Sequence, residues 1–468
     1  MKKNLQDLFP TRREMLKLGG MALATGWTSG SFLSPLKVSA AGKANPRGNA
    51  KFVIFIELPG AISPMETWDL KQTKDTPNDL DPQKVSSDLY LSKTLFPGYA
   101  EWAPRASFVR SMRAPELVHF TGQYHTQTGR ALNVAVAKEI PGFGSVIAAE
   151  LDKTRKDSDT FPTYMSIALG KARVGAVGSG MFPAKFTGID LDPGSVFETF
   201  GNNDGGKELL EERWASLRKL SAVSPNELKP LGDKASEFGA FYGTAFSILD
   251  DPRWKQVFTG VSEEDKKRYV SELGLGCALA RNIIAADAGT RFVYVCDAPQ
   301  PWDHHSFIFD RTRPNNHYNT CLNLDRALIN LVKDLSTTPS KTPGKMLLDE
   351  TMIVVSSEFG RMPYMNNVYG RDHYNQTYTS LFLGAGVKPG RVIGKTNEDC
   401  SKCIDTGWKH KEQPSMDNLV ATMYSALGVD WSKRIDNTPS GRAYEYIQVA
   451  PIGGSEFISN DEIAELFI

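Results

Sequence analysis

The sequence predicts an α/β fold with a mainly parallel central sheet. Short apolar runs rich in β-branched residues alternate along the chain with segments of helical periodicity, which is typical of strands buried on both faces of a parallel sheet. Polar residues follow directly after several of these runs, at the edge where open α/β sheets bind their ligands. The same pattern therefore predicts both the fold and the location of a site.

Six strands and four helices are predicted along the chain. The predicted strands are Phe52–Leu58, Ser107–Met112, Phe161–Ala168, Arg291–Cys296, Met352–Val355 and Tyr378–Leu383. The predicted helices are one long helix from Ser262 to Ala288, then Asn316–Leu335, Ser415–Leu427 and a short amphipathic helix, Asp461–Phe467. The helices are predicted from apolar residues at helical spacing and from capping residues at their ends.

Composition narrows the class of protein. The chain has 468 residues, of which 41% are hydrophobic and 23% charged, and its formal net charge is zero. These values are typical of a globular protein with a substantial core. Without a basic excess we expect no nucleic-acid partner, and five cysteines are too few for a disulfide scaffold.

The amino-terminal segment is predicted to be a signal peptide. Thr11–Lys17 carries a twin-arginine pattern, Leu18–Trp27 is an apolar run rich in Gly and Ala, and Val38–Ala40 is a small-x-small cleavage site. The apolar run is shorter than the roughly 20 residues that a membrane-spanning helix requires. We therefore expect the twin-arginine translocase as a partner during export, a periplasmic or other extracytoplasmic location, and no integral membrane segment.

This prediction divides the chain into three parts. Residues 1–40 form the signal peptide, residues 41–50 a polar linker, and residues 51–468 a single α/β domain. Residues 200–260 are rich in glycine and charged residues, and their pattern indicates no particular element or site.

Histidines and carboxylates collect after the predicted strands. Asp303–His305 follows one strand, Glu358 follows another, and Asp372–His373 lies in the next loop. Mixed carboxylate and imidazole ligands suit zinc, manganese or a similar divalent ion, which can activate a nucleophile toward phosphoryl or sulfuryl esters. A single histidine is more often an ordinary core or surface residue, so spacing alone leaves both interpretations open.

Arginines and further polar residues lie in the same predicted loops. His119–Arg130 is expected to be a polar loop that brings two histidines and several hydroxyls together. Arg130, Arg361 and Arg371 offer planar guanidinium groups that match tetrahedral oxyanions, although a surface salt bridge is the ordinary alternative. Cys400 and Cys403 lack the second pair that a structural zinc site needs, so they indicate a tight disulfide or two free thiols.

Several blocks of sequence together resemble a known bacterial family. They are the twin-arginine leader, PGAISPMETWDLK after the first strand, HTQTGRALN, PWDHHSF, VVSSEFGRMP with GRDHY, and LFLGAGVKPGRVIGKT. The family is domain-of-unknown-function family 1501 (DUF1501), which is similar to the alkaline phosphatase and sulfatase superfamily. The resemblance implies an alkaline-phosphatase-like three-layer αβα sandwich with a metal cleft at the carboxyl ends of its strands.

The resemblance also implies ligands. It supports Asp303, His305, Glu358 and His373 as metal ligands, with Asp372 and His304 beside them. The bound ion would be divalent, and zinc, manganese and calcium all remain open.

This sequence departs from the superfamily pattern at two points. Phe359 stands where a ligand histidine is expected, and Pro64 stands in place of another, with Glu66 replacing an aspartate shortly after it. Because proline and phenylalanine cannot ligate a metal, one ion or none is open as well as two.

Two functions are predicted from these features. The first is an exported metal-dependent hydrolase of phosphate or sulfate esters, acting on a small-molecule or polysaccharide ester. Ser63 would be the nucleophile, with Thr121 and Thr126 as less favoured choices, and Arg361 or Arg130 would neutralise the developing charge. The alternative is a catalytically degenerate member that serves as a periplasmic binding or assembly module, which the replacements at Pro64 and Phe359 favour.

Overall fold

The structure is a computed structural model. It describes residues 38–40, 44–86, 88–196, 251–448 and 460–467, together with positions 212, 215 and 248. The predicted twin-arginine motif and its apolar run, the first residues of the predicted linker and most of 200–260 lie outside the described residues.

The strands and helices are as follows. The strands are β1 Val38–Ala40, β2 Phe52–Glu57, β3 Pro82–Lys84, β4 Tyr90–Ser92, β5 Ala106–Met112, β6 Tyr164–Ile167, β7 Ile189–Leu191, β8 Phe292–Cys296, β9 Thr351–Ser356, β10 Gly360–Arg361, β11 His373–Tyr374, β12 Tyr378–Gly384, β13 Val392–Ile393, β14 Lys395–Thr396, β15 Cys403–Asp405, β16 Lys433–Ile435 and β17 Tyr444–Glu445. The α-helices are α1 Tyr99–Trp102, α2 His119–Thr128, α3 Phe143–Leu151, α4 Pro252–Thr259, α5 Glu263–Tyr269, α6 Glu272–Ala286, α7 His317–Thr337, α8 Leu347–Glu350 and α9 Met416–Ala426.

An eight-stranded sheet forms the centre of the molecule. Its strand order is β13-β5-β12-β9-β2-β8-β6-β7. Strands β9, β2, β8, β6 and β7 run parallel to one another, while β12 is antiparallel to both of its neighbours. This arrangement confirms the predicted α/β fold with a mainly parallel sheet.

Helices cover both faces of this sheet. The side chains of β2 alternate between the faces, as the pleat requires. Phe52, Ile54 and Ile56 pack in one apolar core with residues of α6 and α7. Val53 and Phe55 pack in a second core with residues of α3 and α9. The result is the three-layer αβα sandwich that the family resemblance implies.

The register of the parallel strands defines one functional edge. Glu57 at the end of β2 lies opposite Cys296 of β8 and Ser356 of β9. The segments that follow these strands, 58–66, 297–305 and 357–361, therefore leave the sheet side by side.

Three predicted elements differ from the structure. The single helix expected from Ser262 to Ala288 is two helices, α5 and α6. They are separated by Val270, whose φ is 58°, and the Ser271 hydroxyl accepts from the amide of Gly274 and so begins α6. The segment expected to be a polar loop is helix α2, and the expected terminal helix is a single 3₁₀ turn, Ala464–Leu466.

The segment at the predicted cleavage site is a strand of the folded chain. β1 pairs antiparallel with β16, Val38 opposite Ile435, so cleavage after Ala40 stays a prediction. None of the helices in the described part of the chain is long and apolar enough to cross a membrane. Cys400 and Cys403 are free thiols, and Cys400 Sγ lies 3.3 Å from the carbonyl oxygen of Asp69.

Candidate metal centre

Four side chains converge above the carboxyl ends of the strands. His119 begins α2, Asp303 and His305 follow β8, and His373 begins β11. One potential ligand atom from each residue lies within 4.8 Å of the corresponding atoms of the other three. We call this set the four-residue centre. It unites three residues that the sequence singles out as ligands with one, His119, that it does not.

In each of the three imidazoles, Nδ1 is held by an oxygen. The pairs are His119 with Glu358 Oε1 at 2.7 Å, His305 with Asp372 Oδ1 at 2.9 Å, and His373 with the carbonyl oxygen of Leu117 at 2.7 Å. Because these oxygens are acceptors, each Nδ1 donates its hydrogen, which leaves the Nε2 atom of the neutral imidazole with a lone pair. Outer acceptors of this kind are what orient histidines that bind metals.

The three Nε2 atoms point toward a single carboxylate oxygen. They lie 3.1, 3.0 and 3.6 Å from Asp303 Oδ1, and the Nε2 atoms of His305 and His373 are only 2.8 Å apart. His119 Nε2 is buried and finds no geometrically acceptable hydrogen-bond partner among the described residues. Two facing lone pairs repel unless a proton or a cation lies between them. A divalent ion bound by three imidazoles and a carboxylate would resolve this, so the donor set fits zinc or manganese.

Asp303 is held in its ionised form. Burial alone would raise the pKa of this carboxyl, but the facing imidazoles of His119 and His373 and the guanidinium of Arg361 outweigh burial, and the pKa lies well below its usual range. Arg361 Nη2 contacts Asp303 Oδ1 at 2.5 Å. The neighbouring loop approaches so closely that a Cβ on Gly60, whose φ is 104°, would lie 2.4 Å from the Asp303 amide. Only glycine fits there.

Glu358 lies beside the four-residue centre and holds one of its members. Its Oε1 accepts from His119 and, at 2.9 Å, from the amide of Gly60, while Oε2 accepts from Ser357 at 2.9 Å. Burial raises the pKa of Glu358, but His119 and the backbone amides that donate to the carboxylate together outweigh burial, so the net shift is downward. Among the predicted ligands, Glu358 and Asp372 therefore orient imidazoles in this structure.

The sequence does not predict His119 as a ligand because its position depends on a tertiary contact. Helix α2 packs against the Glu358 segment at Gly122, where an added Cβ would meet Glu358 Cβ at 3.0 Å. This close approach brings the Nδ1 of His119 to Glu358. The signal in the sequence is a glycine three residues after a histidine, a spacing that also occurs where no metal is bound.

Arg361 is buried and fully engaged. Its Nε donates to the carbonyl oxygens of Gly60 and Ala61 at 3.1 Å, and Nη1 donates to that of Arg371 at 2.8 Å. With Nη2 on Asp303, the guanidinium fixes the loop and the carboxylate relative to each other. It positions Asp303 and has no free donor for a substrate oxyanion.

A second polar network lies next to the four-residue centre. The hydroxyl of Ser63 donates to Glu66, and Arg371 Nη2 contacts the other oxygen of Glu66 at 2.5 Å. Arg371 also donates to the carbonyl oxygens of Asp75 and Met362 at 2.8 and 2.9 Å. We call Ser63, Glu66 and Arg371 the buried ion-pair network. Its main partners lie within the protein, so the Ser63 hydroxyl is engaged.

Two further predicted residues are not brought to the centre. Arg130 lies over the ring of Tyr444, with its guanidinium carbon 4.2 Å from the ring centroid, and donates to the carbonyl oxygen of Glu445. The imidazole of His304 packs against His317, with ring centroids 5.7 Å apart. Burial and the charge of Arg361 lower the pKa of His304 to about 4, so it is neutral.

The less favoured hydroxyls are also engaged. Thr121 donates to the carbonyl oxygen of Val118 at 3.1 Å, and Thr126 donates to Glu57 Oε1 at 2.6 Å. Glu57 itself is buried, and its burial and the charge of Glu358 raise its pKa to about 8.

Phe359 forms an apolar floor under two of the imidazoles. Its ring stacks on His119 with centroids 5.1 Å apart, and it lies 4.8 Å from the ring of His373. The residue found where an imidazole is expected thus supports the histidines by packing.

Comparison with known proteins gives one family match and several distant structural similarities. The family described as "Protein of unknown function (DUF1501)" matches residues 50–448. No curated protein was found to match the chain.

The similar solved structures come from several bacteria. A protein of the alkaline phosphatase superfamily from Vibrio parahaemolyticus is 12% identical, with 89% of this chain and 75% of that chain covered and a TM-score of 0.34. A sulfatase from Pseudoalteromonas sp. is 12% identical, with coverage of 91% and 72% and a TM-score of 0.40. A phosphonate monoester hydrolase from Silicibacter pomeroyi is 14% identical, with coverage of 85% and 75% and a TM-score of 0.34.

Proposed function

We propose that this chain, which belongs to the DUF1501 family, is an exported metal-dependent hydrolase of phosphate or sulfate esters. The observation that carries the proposal is the four-residue centre. Three imidazoles have their Nδ1 hydrogens committed, and their Nε2 atoms converge with Asp303 on one small volume. Buried polar groups in a fold are nearly always paired, yet His119 Nε2 is buried and has no acceptable partner among the described residues.

In this proposal the residues of the site have distinct roles. His119, Asp303, His305 and His373 would hold a divalent ion, which when bound would polarise the ester oxygen and acidify the attacking water. Glu358, Asp372 and the Leu117 carbonyl keep the imidazoles in the binding tautomer. Substrate would enter on the side of His305, whose side chain is 43% exposed.

The nucleophile in this proposal is water. Ser63 is only 1% exposed, and its hydroxyl donates to Glu66. The hydroxyls of Thr121 and Thr126 also donate within the protein. Arg361 would act through Asp303, which it holds in place, and Arg130 would take no part.

Export is part of the proposal. The twin-arginine pattern in Thr11–Lys17 would direct the folded protein to the translocase, and that route permits the ion to be acquired before export. The mature protein would then act in the periplasm or outside the cell on a small-molecule or polysaccharide ester.

A catalytically degenerate binding or assembly module is the second candidate. The observation that favours it is the engagement of both Ser63 and Arg361 within the protein, which leaves neither of these predicted catalytic side chains free beside the centre.

Elemental analysis combined with turnover separates the two candidates. The exported protein is purified, its metal content measured, and its activity on aryl phosphate and aryl sulfate esters assayed. The hydrolase should carry about one equivalent of ion and turn over at least one ester, because a set of four ligands binds one ion. Asp303→Ala should lose both properties, and Asp152→Ala, a change in an exposed surface ion pair, should lose neither.

Two results would contradict the hydrolase. One is less than roughly a tenth of an equivalent of metal, with no turnover after zinc or manganese is added. The other is full metal content in Asp303→Ala, which would mean that the ion is held elsewhere. Bound metal without turnover of any ester would favour the binding module.

A further inference from the structure

Exposed apolar side chains gather around the four-residue centre. Among the described residues, six of the twelve large hydrophobic side chains that are exposed lie within five positions of one of its members. These are Leu117, Val118, Phe120, Phe307, Val368 and Tyr369. Exposed apolar residues scattered singly are ordinary, but such a concentration at the mouth of a site indicates a surface that binds something.

Two of these residues have a strained backbone. Phe307 has a φ of 50° and Tyr369 a φ of 57°, in the left-handed region that bulky side chains rarely adopt. Their side chains are nevertheless 37% and 68% exposed, so burial of the rings does not explain the strain. Backbone strain of this kind persists where the surrounding structure imposes it and is concentrated at functional sites.

Backbone hydrogen bonds and close packing hold the segments of Phe307 and Tyr369 against each other and against His305. The amide of Phe307 donates to the carbonyl oxygen of Val368 and that of Ile308 to the carbonyl oxygen of Tyr369, both at 3.0 Å. The two aromatic rings lie 6.2 Å apart. Gly370 packs so tightly that an added Cβ would lie 2.0 Å from the carbonyl carbon of His305. The aromatic pair is therefore fixed beside the most exposed member of the centre.

The segment around His119 is also apolar. Leu117, Val118 and Phe120 flank His119, and the Leu117 carbonyl is the oxygen that holds His373. The Nδ2 of Asn366 donates to the carbonyl oxygen of His305 and to Asp372. Its Oδ1 accepts from the backbone amides of Val368 and Gly370. All four hydrogen-bonding positions of this amide are therefore occupied within the protein.

From these features we infer that the alcohol portion of the substrate is a large apolar group, held between the Phe307–Tyr369 pair and the 117–120 segment. The inference rests on the proposed hydrolase function and specifies its substrate class. In the reaction, water adds to phosphorus or sulfur, the bond to the alcohol oxygen breaks, and the departing alcohol takes up the proton that the water loses. The apolar surface binds the part of the ester that leaves.

The test is a chain-length series of soluble substrates. The metal-loaded protein is assayed on monomeric ethyl, butyl and hexyl phosphates and sulfates, and on glucose 6-phosphate and glucose 6-sulfate. We expect kcat/KM to rise roughly two- to fourfold for each added methylene, because each is transferred from water to an apolar surface. The glucose esters should be no better than the ethyl esters.

Two variants test whether the aromatic pair causes the dependence of kcat/KM on chain length. Tyr369→Asn and Phe307→Asn remove the rings, and asparagine tolerates the left-handed backbone. Each should lower kcat/KM for the hexyl esters at least twofold more than for the ethyl esters, with metal content unchanged. Tyr90→Asn removes an aromatic side chain that is 42% exposed on β4 and should leave the whole series unchanged.

The outcomes are distinguishable. Turnover that does not increase with chain length, or a preference for the glucose esters, would overturn the inference and leave the hydrolase in place. Chain-length dependence that survives in both Asn variants would also overturn it. Failure to hydrolyse any ester would overturn the proposed function and this inference together.

Discussion

The four-residue centre and the buried ion-pair network are built from neighbouring segments of chain but have opposite character. Residues 63–66 and 371 form the network, while 372 and 373 serve the centre. In the network, Glu66 accepts from Ser63 and Arg371 within the protein. In the centre, the Nε2 atom of His119 has no acceptable partner among the described residues, and those of His305 and His373 face each other.

This difference indicates that metal binding depends on the centre and that the stability of the fold depends on the network. A buried charge that is paired and hydrogen-bonded is part of the fold, and breaking the pair is costly. Nitrogen lone pairs that converge without hydrogens between them are a destabilising arrangement unless a cation joins them. We therefore expect changes in the histidines of the centre to abolish metal binding with little loss of stability, and changes in the network to do the reverse.

The largest effect is expected from His119→Ala compared with Ser63→Ala. Loss of one of four ligands should weaken metal binding and activity by about a thousandfold or more, since the remaining ligands no longer complete the site. Ser63→Ala removes one hydrogen bond to Glu66, so it should keep the metal and hold activity within about tenfold. Isothermal titration with zinc and ester turnover measure both. A Ser63→Ala variant with full metal and no activity would instead restore Ser63 as nucleophile.

Arg371→Met should have the next largest effect, and on stability. It leaves the Glu66 carboxylate buried without its cation, which should lower the free energy of unfolding by about 3–5 kcal/mol. Urea denaturation at neutral pH measures the loss, and the folded fraction should still bind one metal. The double variant Glu66→Met with Arg371→Met, which removes both charges, should recover most of the stability. If the double variant is as unstable as the single one, packing and not charge determines the effect.

The strands and the polar residues after them could be predicted because both follow from local pattern. Asp303 and His305 follow the run 291–296, and the register of parallel strands brings such segments to one edge. His119 could not be predicted in the same way, since its position depends on α2 packing on Glu358 through Gly122. Neither could the engagement of Arg361, because residue type does not tell whether a guanidinium faces solvent or three backbone carbonyls.

A third effect comes from Glu57, a buried carboxyl that has no cationic partner among the described residues. Burial and the charge of Glu358 raise the pKa of Glu57 from 4.5 to about 8, so the folded protein holds a proton that the unfolded chain releases. The free energy of unfolding should therefore fall as pH rises from about 4.5 to about 8. Glu57→Gln, which mimics the protonated form, should remove this dependence.

The size of this effect can be measured as a difference between two proteins. Below pH 4.5 the wild type and Glu57→Gln should have similar stability, and at pH 8 the variant should be more stable by about 2–4 kcal/mol. Denaturation in urea across this pH range measures both. A difference that does not vary with pH would mean that Glu57 is ionised in the folded protein, with Thr126 and Tyr294 supplying the hydrogen bonds that allow it.

The smallest effects should come from the carboxylates that hold the imidazoles, and they should differ from each other. Glu358 is buried, whereas the Asp372 side chain is 55% exposed. Glu358→Gln should weaken metal binding roughly 10- to 100-fold, because no water can replace the lost carboxylate behind His119. Asp372→Asn should weaken it only about two- to fivefold, since solvent can accept from Nδ1 of His305.

Competition with a chromogenic chelator at fixed pH measures both affinities, and melting of the metal-free proteins shows whether either change disturbs the fold. Equal losses of metal affinity in two variants that melt like the wild type would contradict the predicted difference between Glu358 and Asp372. They would mean that water does not take over the role of the exposed carboxylate at His305, so that burial is not what distinguishes the two supports of the centre.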